Sequence, residues 1–286
     1  MFGKFFAYTL SLLFLLNSTS FAQISPVTES LAAASAKSNA SFKFESFIAG
    51  NYNYLNVDVL DNIYLITTGN QLKKLNSNGD SVAVFNDVKK YGNPSYIDVS
   101  NPLKILVYYK SFSTVVILDR LLSTRTTINF RKQNIFSVKS IATSYDNNIW
   151  LFDEQDYKLK KIDDDGKLLQ ESTDMRLLVD SAPSPMKIID SDNLVYLYDE
   201  KKGFYIFDYY GALKNRLPFL NWRNTAIARN KMYGFSDNTL YSYEVNSFDL
   251  KKYQLPGFFK NYQSIIALNN KVYLLKEEGI EIYSVQ

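Results

Sequence analysis

The chain has 286 residues, 32 Lys and Arg against 29 Asp and Glu, a formal charge of +3, and neither cysteine nor histidine. Without cysteine there are no disulfides and no lipidated thiol, so stability must come from packing. Without histidine and cysteine, Cys–His and Ser–His–Asp nucleophile systems and the usual zinc sites are excluded, and the balanced charge, lacking any basic block, argues against nucleic acid.

Residues 1–22, MFGKFFAYTLSLLFLLNSTSFA, read as a signal peptide: Lys4 forms the positive start, Phe5 to Leu16 the apolar run, and Ser20-Phe21-Ala22 a small-residue cleavage site. The run is too short to span a bilayer, which needs roughly 20 residues, and no later segment is apolar for long enough either. The expected location is therefore periplasmic. Residues 23–41 are small and polar and read as a flexible lead-in. From Phe42 the texture changes to short alternating runs rich in Tyr, Phe, Ile, Val and Leu, which marks the folded domain, 42–286.

One strand pattern then recurs. An Asn- or Asp-rich turn leads into a strand with a central aromatic: DNIYLI at 61–66, NNIWLF at 147–152, NLVYLY at 193–198, NKMYGF at 230–235 and NKVYLL at 270–275. LKILVY at 103–108 keeps the position with Leu106 as its centre. The markers Tyr64, Leu106, Trp150, Tyr196, Tyr233 and Tyr273 fall about 40 residues apart, the period of a four-stranded propeller blade. An apolar strand precedes each marker, and an alternating strand such as QLKKLN or KLKKID follows it. A turn, often with Gly79, Gly166 or Gly211, leads to a fourth strand in five of the units.

The sixth unit stops after its third strand, Ile280 to Val285, while FKFESFI at 42–48 is left over at the other end of the chain. Pairing the two closes the circle and removes two raw sheet edges. The expected fold is all-β: a six-bladed β-propeller whose last blade is completed by an N-terminal strand.

No metal or cofactor site is expected. DDDGK, Asp163 to Lys167, places its glycine too early for an EF-hand loop and occupies the same turn as NSNGD at 76–80, so it reads as a hairpin turn. The blade-to-blade connections are a different matter, being apolar for surface loops: FRKQNIFSV at 130–138, MRLLVDSAPSP at 175–185, LPFLNWRN at 217–224 and LPGFFKNY at 255–262. All such connections emerge on one face. Phe136, Phe219, Trp222, Phe258, Phe259 and Tyr262, interspersed with Arg131, Arg176 and Arg223, have the aromatic-plus-arginine composition of protein-binding hot spots. The alternative for each aromatic is to fold inward between adjacent sheets.

The recurring strands and the D-x-x-G turns in IDDDGKLL and FDYYGALK resemble six-bladed propellers of the broad NHL-like and YncE-like class, over residues 42–286. In length, composition and architecture the chain is also similar to the periplasmic plug proteins of the type IX secretion translocon. That resemblance implies a non-catalytic protein cap seated against a large outer-membrane barrel. Two other readings stand beside it. One is a metal-assisted, lactonase-like hydrolase using Asp58, Asp98, Asp190 and Asn230 in the central channel. The other is a carbohydrate-binding propeller with exposed Tyr and Trp as stacking platforms.

Overall fold

The computed structural model describes residues 41–228 and 230–285. The expected signal peptide and all but the last residue of the lead-in lie outside these. The chain enters through β1 (Phe42–Ala49). The first blade is β2 (Tyr52–Val57), β3 (Ile63–Thr67), β4 (Leu72–Leu75) and β5 (Ser81–Phe85). The second is β6 (Tyr96–Asn101), β7 (Lys104–Tyr109), β8 (Thr114–Leu118) and β9 (Thr124–Asn129). The third is β10 (Val138–Thr143), β11 (Ile149–Asp153), β12 (Lys158–Ile162) and β13 (Leu168–Glu171). The fourth is β14 (Lys187–Ser191), β15 (Leu194–Asp199), β16 (Gly203–Asp208) and β17 (Leu213–Leu217). The fifth is β18 (Arg223–Ala228), β19 (Lys231–Ser236), β20 (Thr239–Glu244) and β21 (Asp249–Gln254). The sixth, β22 (Ser264–Leu268), β23 (Lys271–Leu275) and β24 (Gly279–Val285), takes β1 as its outer strand.

The expected closure is present in register. Phe42 pairs with Val285 and Ile48 with Ile280, across a bulge between Phe44 and Ser46. The first strands pack on one another in a complete ring, β2 on β6, then β10, β14, β18 and β22, and back to β2. This is a six-bladed propeller.

Burial explains the residue pattern. Second and third strands have a sheet on either side and are largely buried, as in KILVYY of β7, where every residue is buried, Lys104 included. Outer strands lose one neighbour and turn polar, as in the mostly exposed LLQE of β13. The core lies between blades rather than within them. Tyr64 packs with Ile97 and Val99 of the next blade, and Trp150 with Ile188 and Val195. Each fully buried aromatic of this kind contributes about 1.5–3 kcal/mol relative to exposure.

The third-to-fourth-strand turns of the first four blades share one geometry. Asp163 Oδ1 accepts from the backbone N–H of Asp165 and Lys167 at 3.0 and 2.8 Å, and Asn76 and Asp208 repeat the arrangement. Gly166 needs its positive φ of 84°, and a Cβ there would stand 2.8 Å from Ile128 and Gln133 of the preceding blade. DDDGK is thus a turn clamped onto its neighbour, in keeping with the repeat.

Alternating strand direction sorts the connections into two faces. The outer-to-inner connections and the second-to-third turns emerge together on what is called here the connection face. Its loops carry short helical elements that the strand pattern did not announce: α1 (Val88–Tyr91) and 3-10 turns at Lys110–Phe112, Phe130–Gln133 and Met175–Leu177. Among the described residues no helix is long and apolar enough to cross a membrane.

Candidate functional site

The connection face divides the nine residues singled out from the sequence. Phe219, Trp222 and Phe259 are buried. Trp222 lies 4.4 Å from Phe219 in a parallel stack and 5.3 Å from Tyr241, with the edge of Phe204 at 6.1 Å. It also covers Gly234, where an added Cβ would fall 2.4 Å from the indole. The marker strand NKMYGF carries glycine where its copies carry leucine or valine, which leaves room for this ring. Phe259 contacts Phe42 and Tyr283 at 5.1 and 4.7 Å and so helps hold the closing strand. These three side chains seal blades against each other, the inward alternative open to each aromatic.

The others face outward. Phe136 is 53% exposed and Phe258 54%, while Tyr262 is half-buried against the fifth and sixth blades. Arg131, Arg176 and Arg223 are exposed. Arg131 Nε donates to Ser113 Oγ at 3.1 Å. Arg176 forks onto Asp174, with Nε at 3.0 and 3.1 Å from the two oxygens, and lies 4.8 Å over the Tyr157 ring. That guanidinium holds the Asp174 carboxyl below its ordinary pKa. Both arginines are thereby pre-oriented. The same face exposes Phe112, Leu177, Leu178, Met186 and Leu220, none of which the sequence reading selected. The signal was present in RLLVDSAPSP and LPFLNW, but which residue of an apolar loop points outward depends on its turn geometry.

The carboxylates weighed as metal ligands are engaged in the fold. Asp58 accepts from the N–H of Leu60 and Asn62, both at 2.9 Å, and from Tyr64 OH at 3.0 Å. Asp98 takes the N–H and hydroxyl of Thr143 in the next blade at 2.8 and 2.9 Å. Burial pushes its carboxyl pKa up, against the opposing pull of these hydrogen bonds. Asp190 receives Trp150 Nε1 at 2.9 Å and Tyr209 OH at 2.6 Å. Asn230 sits in a turn at φ 63°, its N–H on Asp192. These groups tie turns and neighbouring blades together. Among the described residues no three Asp or Glu side chains converge as a metal cage would require.

The first strands bring further polar groups together that the sequence did not mark. Tyr54 OH donates to the Ile97 carbonyl at 3.2 Å, and Lys187 Nζ to the Thr225 carbonyl. Lys187 keeps partial solvent access, yet desolvation lowers its pKa from 10.5 to about 8, partly opposed by the charge of Asp98. An amine that water reaches but hardly solvates is what a narrow channel along the ring axis produces.

No protein-family model matches the chain. No curated protein matches it in sequence. Solved structures do match in fold. Virginiamycin B lyase from Staphylococcus aureus aligns at TM-score 0.55 and 12% identity, over 86% of this chain and 88% of that one. A streptogramin B lyase aligns at 0.54 and 17%, over 81% and 78%. The WD40 domain of Neurospora crassa Pan2 aligns at 0.59 and 7%, over 88% and 97%. At these identities the likeness is one of propeller architecture.

Proposed function

We propose that this chain is an exported, non-catalytic propeller that binds protein partners in the bacterial envelope. On this reading the connection face seats against the periplasmic mouth of an outer-membrane protein-secretion barrel as a cap. The observation that carries the proposal is the composition of that face. Phe136, Phe258, Leu177 and Leu220 project outward, with Arg131 and Arg176 fixed beside them. Exposed apolar groups flanked by pre-oriented arginines are how protein interfaces are built, and a rigid disc loses little entropy on docking. Two further points favour contact over chemistry. The channel carboxylates are committed to the fold. One structural relative, virginiamycin B lyase, is described as catalytically inactive in a form with a histidine replaced by alanine, and this chain contains no histidine.

The test is a mild-detergent pull-down from membranes of the native host, using the tagged protein and a Phe136→Ser/Phe258→Ser variant. A large outer-membrane barrel should co-purify with the wild type and be lost with the variant, at a melting temperature lowered by only about 4–8 °C. Recovery of the lone chain in both cases would overturn the proposal.

A further inference from the structure

Beside the connection face, at the outer edge of the second blade, lies a concavity of about 370 Å³. Its walls come from α1 (Tyr91), the Lys110–Phe112 turn, the end of β9, the Phe130–Gln133 turn and Asp165 of the third blade. We propose that it is a binding site for a small carbohydrate, a function beyond partner binding and independent of it.

The walls are held rigidly. Ser113 closes one 3-10 turn at φ 48° and Asn134 the other at φ 57°, a left-handed conformation uncommon for serine and well tolerated by asparagine. Hydrogen bonds and ring contacts hold these turns in place. The Phe130 N–H donates to the Ser113 carbonyl at 2.8 Å, and Gln133 Nε2 to the Asp165 carbonyl at 3.3 Å. Tyr91 packs on Tyr109 at 4.9 Å and receives the edge of Phe112 at 5.9 Å. Phe112 is thereby fixed with 47% of its surface exposed.

The chemistry of the lining selects the ligand. Nothing among the described residues engages the Lys132 ammonium, the Asp165 carboxylate or the Thr127 hydroxyl. They offer charged and neutral donors and acceptors around the rings of Tyr91 and Phe112, beside Asn129, whose Oδ1 already accepts the Lys132 backbone N–H at 3.2 Å. An apolar ligand would leave these groups unsatisfied, an anion would meet Asp165, and a metal ion would find a single carboxylate. A sugar ring fits both requirements: its C–H face covers an aromatic side chain while its hydroxyls both give and accept hydrogen bonds. The volume falls within the ordinary range for small-ligand pockets, about 300–1,000 Å³.

The experiment is a ¹H–¹⁵N NMR titration of the folded protein with glucose, galactose, mannose, N-acetylglucosamine, lactose and cellobiose, each to roughly 10 mM, well past an affinity of about 1 mM. At least one sugar should give saturable shifts confined to Phe112, Thr127, Asn129 and their neighbours. Phe112→Ala and Asp165→Asn should each weaken that binding at least about tenfold while circular dichroism stays unchanged and the melting temperature falls by no more than about 4 °C. Asp165→Asn, which lies in a third-to-fourth-strand turn off the connection face, should still capture the protein partner, which separates failure here from failure of the partner reading. No saturable shift with any sugar would overturn the proposal, as would shifts that survive both substitutions. Equal shifts with acetate or inorganic phosphate would show an anion site at Lys132 and overturn it as well.

Discussion

Trp222→Ser and Phe258→Ser form a matched pair, because the two rings come from neighbouring stretches of similar sequence character and occupy opposite environments. Trp222 is 4% exposed, stacked on Phe219 and Tyr241 and lying over the bare backbone of Gly234. Truncating a buried ring costs about 3–5 kcal/mol, and each lost aromatic pair adds about 0.5–1.5 kcal/mol. Gly234 has no side chain that could move into the space, so relaxation recovers little. The expected loss is about 5 kcal/mol, a large share of a typical stability of about 5–15 kcal/mol. Phe258 is already 54% exposed. Its removal forfeits less than half of a full burial of about 1.5–3 kcal/mol, so about 1 kcal/mol. For a domain of this size about 2–4 °C follows each kcal/mol. Thermal unfolding followed by circular dichroism should therefore drop by about 10–20 °C for Trp222→Ser and about 2–4 °C for Phe258→Ser, with urea midpoints in the same order. A Trp222→Ser loss under about 2 kcal/mol, or equal losses in the two variants, would refute the division of this face into packed and presented rings.

Two other perturbations probe the closure and the channel. Ile48→Asp places a charge where β1 pairs with Ile280 and packs on Gly79, and should cost about 3 kcal/mol. With the clasp frayed, β24 becomes a free edge, so light scattering on warming should rise with protein concentration; a monomeric variant of wild-type stability would contradict this closure. Lys187 binds its proton less tightly when folded, with a pKa of about 8 against 10.5. Between those values the unfolded chain holds more protons, so this group makes stability rise with pH across that window. Lys187→Met should flatten the rise between about pH 8 and pH 10.5 in urea titrations, and an unaltered slope would mean the amine is solvated.

The repeat made the fold legible because a blade is defined by local features. The Asx-plus-glycine turns, the strand lengths and the aromatic markers all act within a few residues of one another. Even the closing pair could be deduced by counting strands, since FKFESFI had no partner and the last blade lacked one. The candidate site was legible only in outline. Apolar connections marked the right face, but LPFLNW gives no sign that Phe219 turns inward and Leu220 outward. The inward turn depends on Gly234, in a different strand, making room for Trp222. Asp98 and Asp190 looked like free channel carboxylates because their partners, Thr143 and Trp150, lie 45 and 40 residues away in the chain. The rim concavity likewise assembles residues from four separated segments, which meet because each blade's outer strand ends against the next blade's turn. Local periodicity is written residue by residue and survives in the sequence. Burial and pairing between blades depend on which surfaces close against each other, and only the assembled ring decides that.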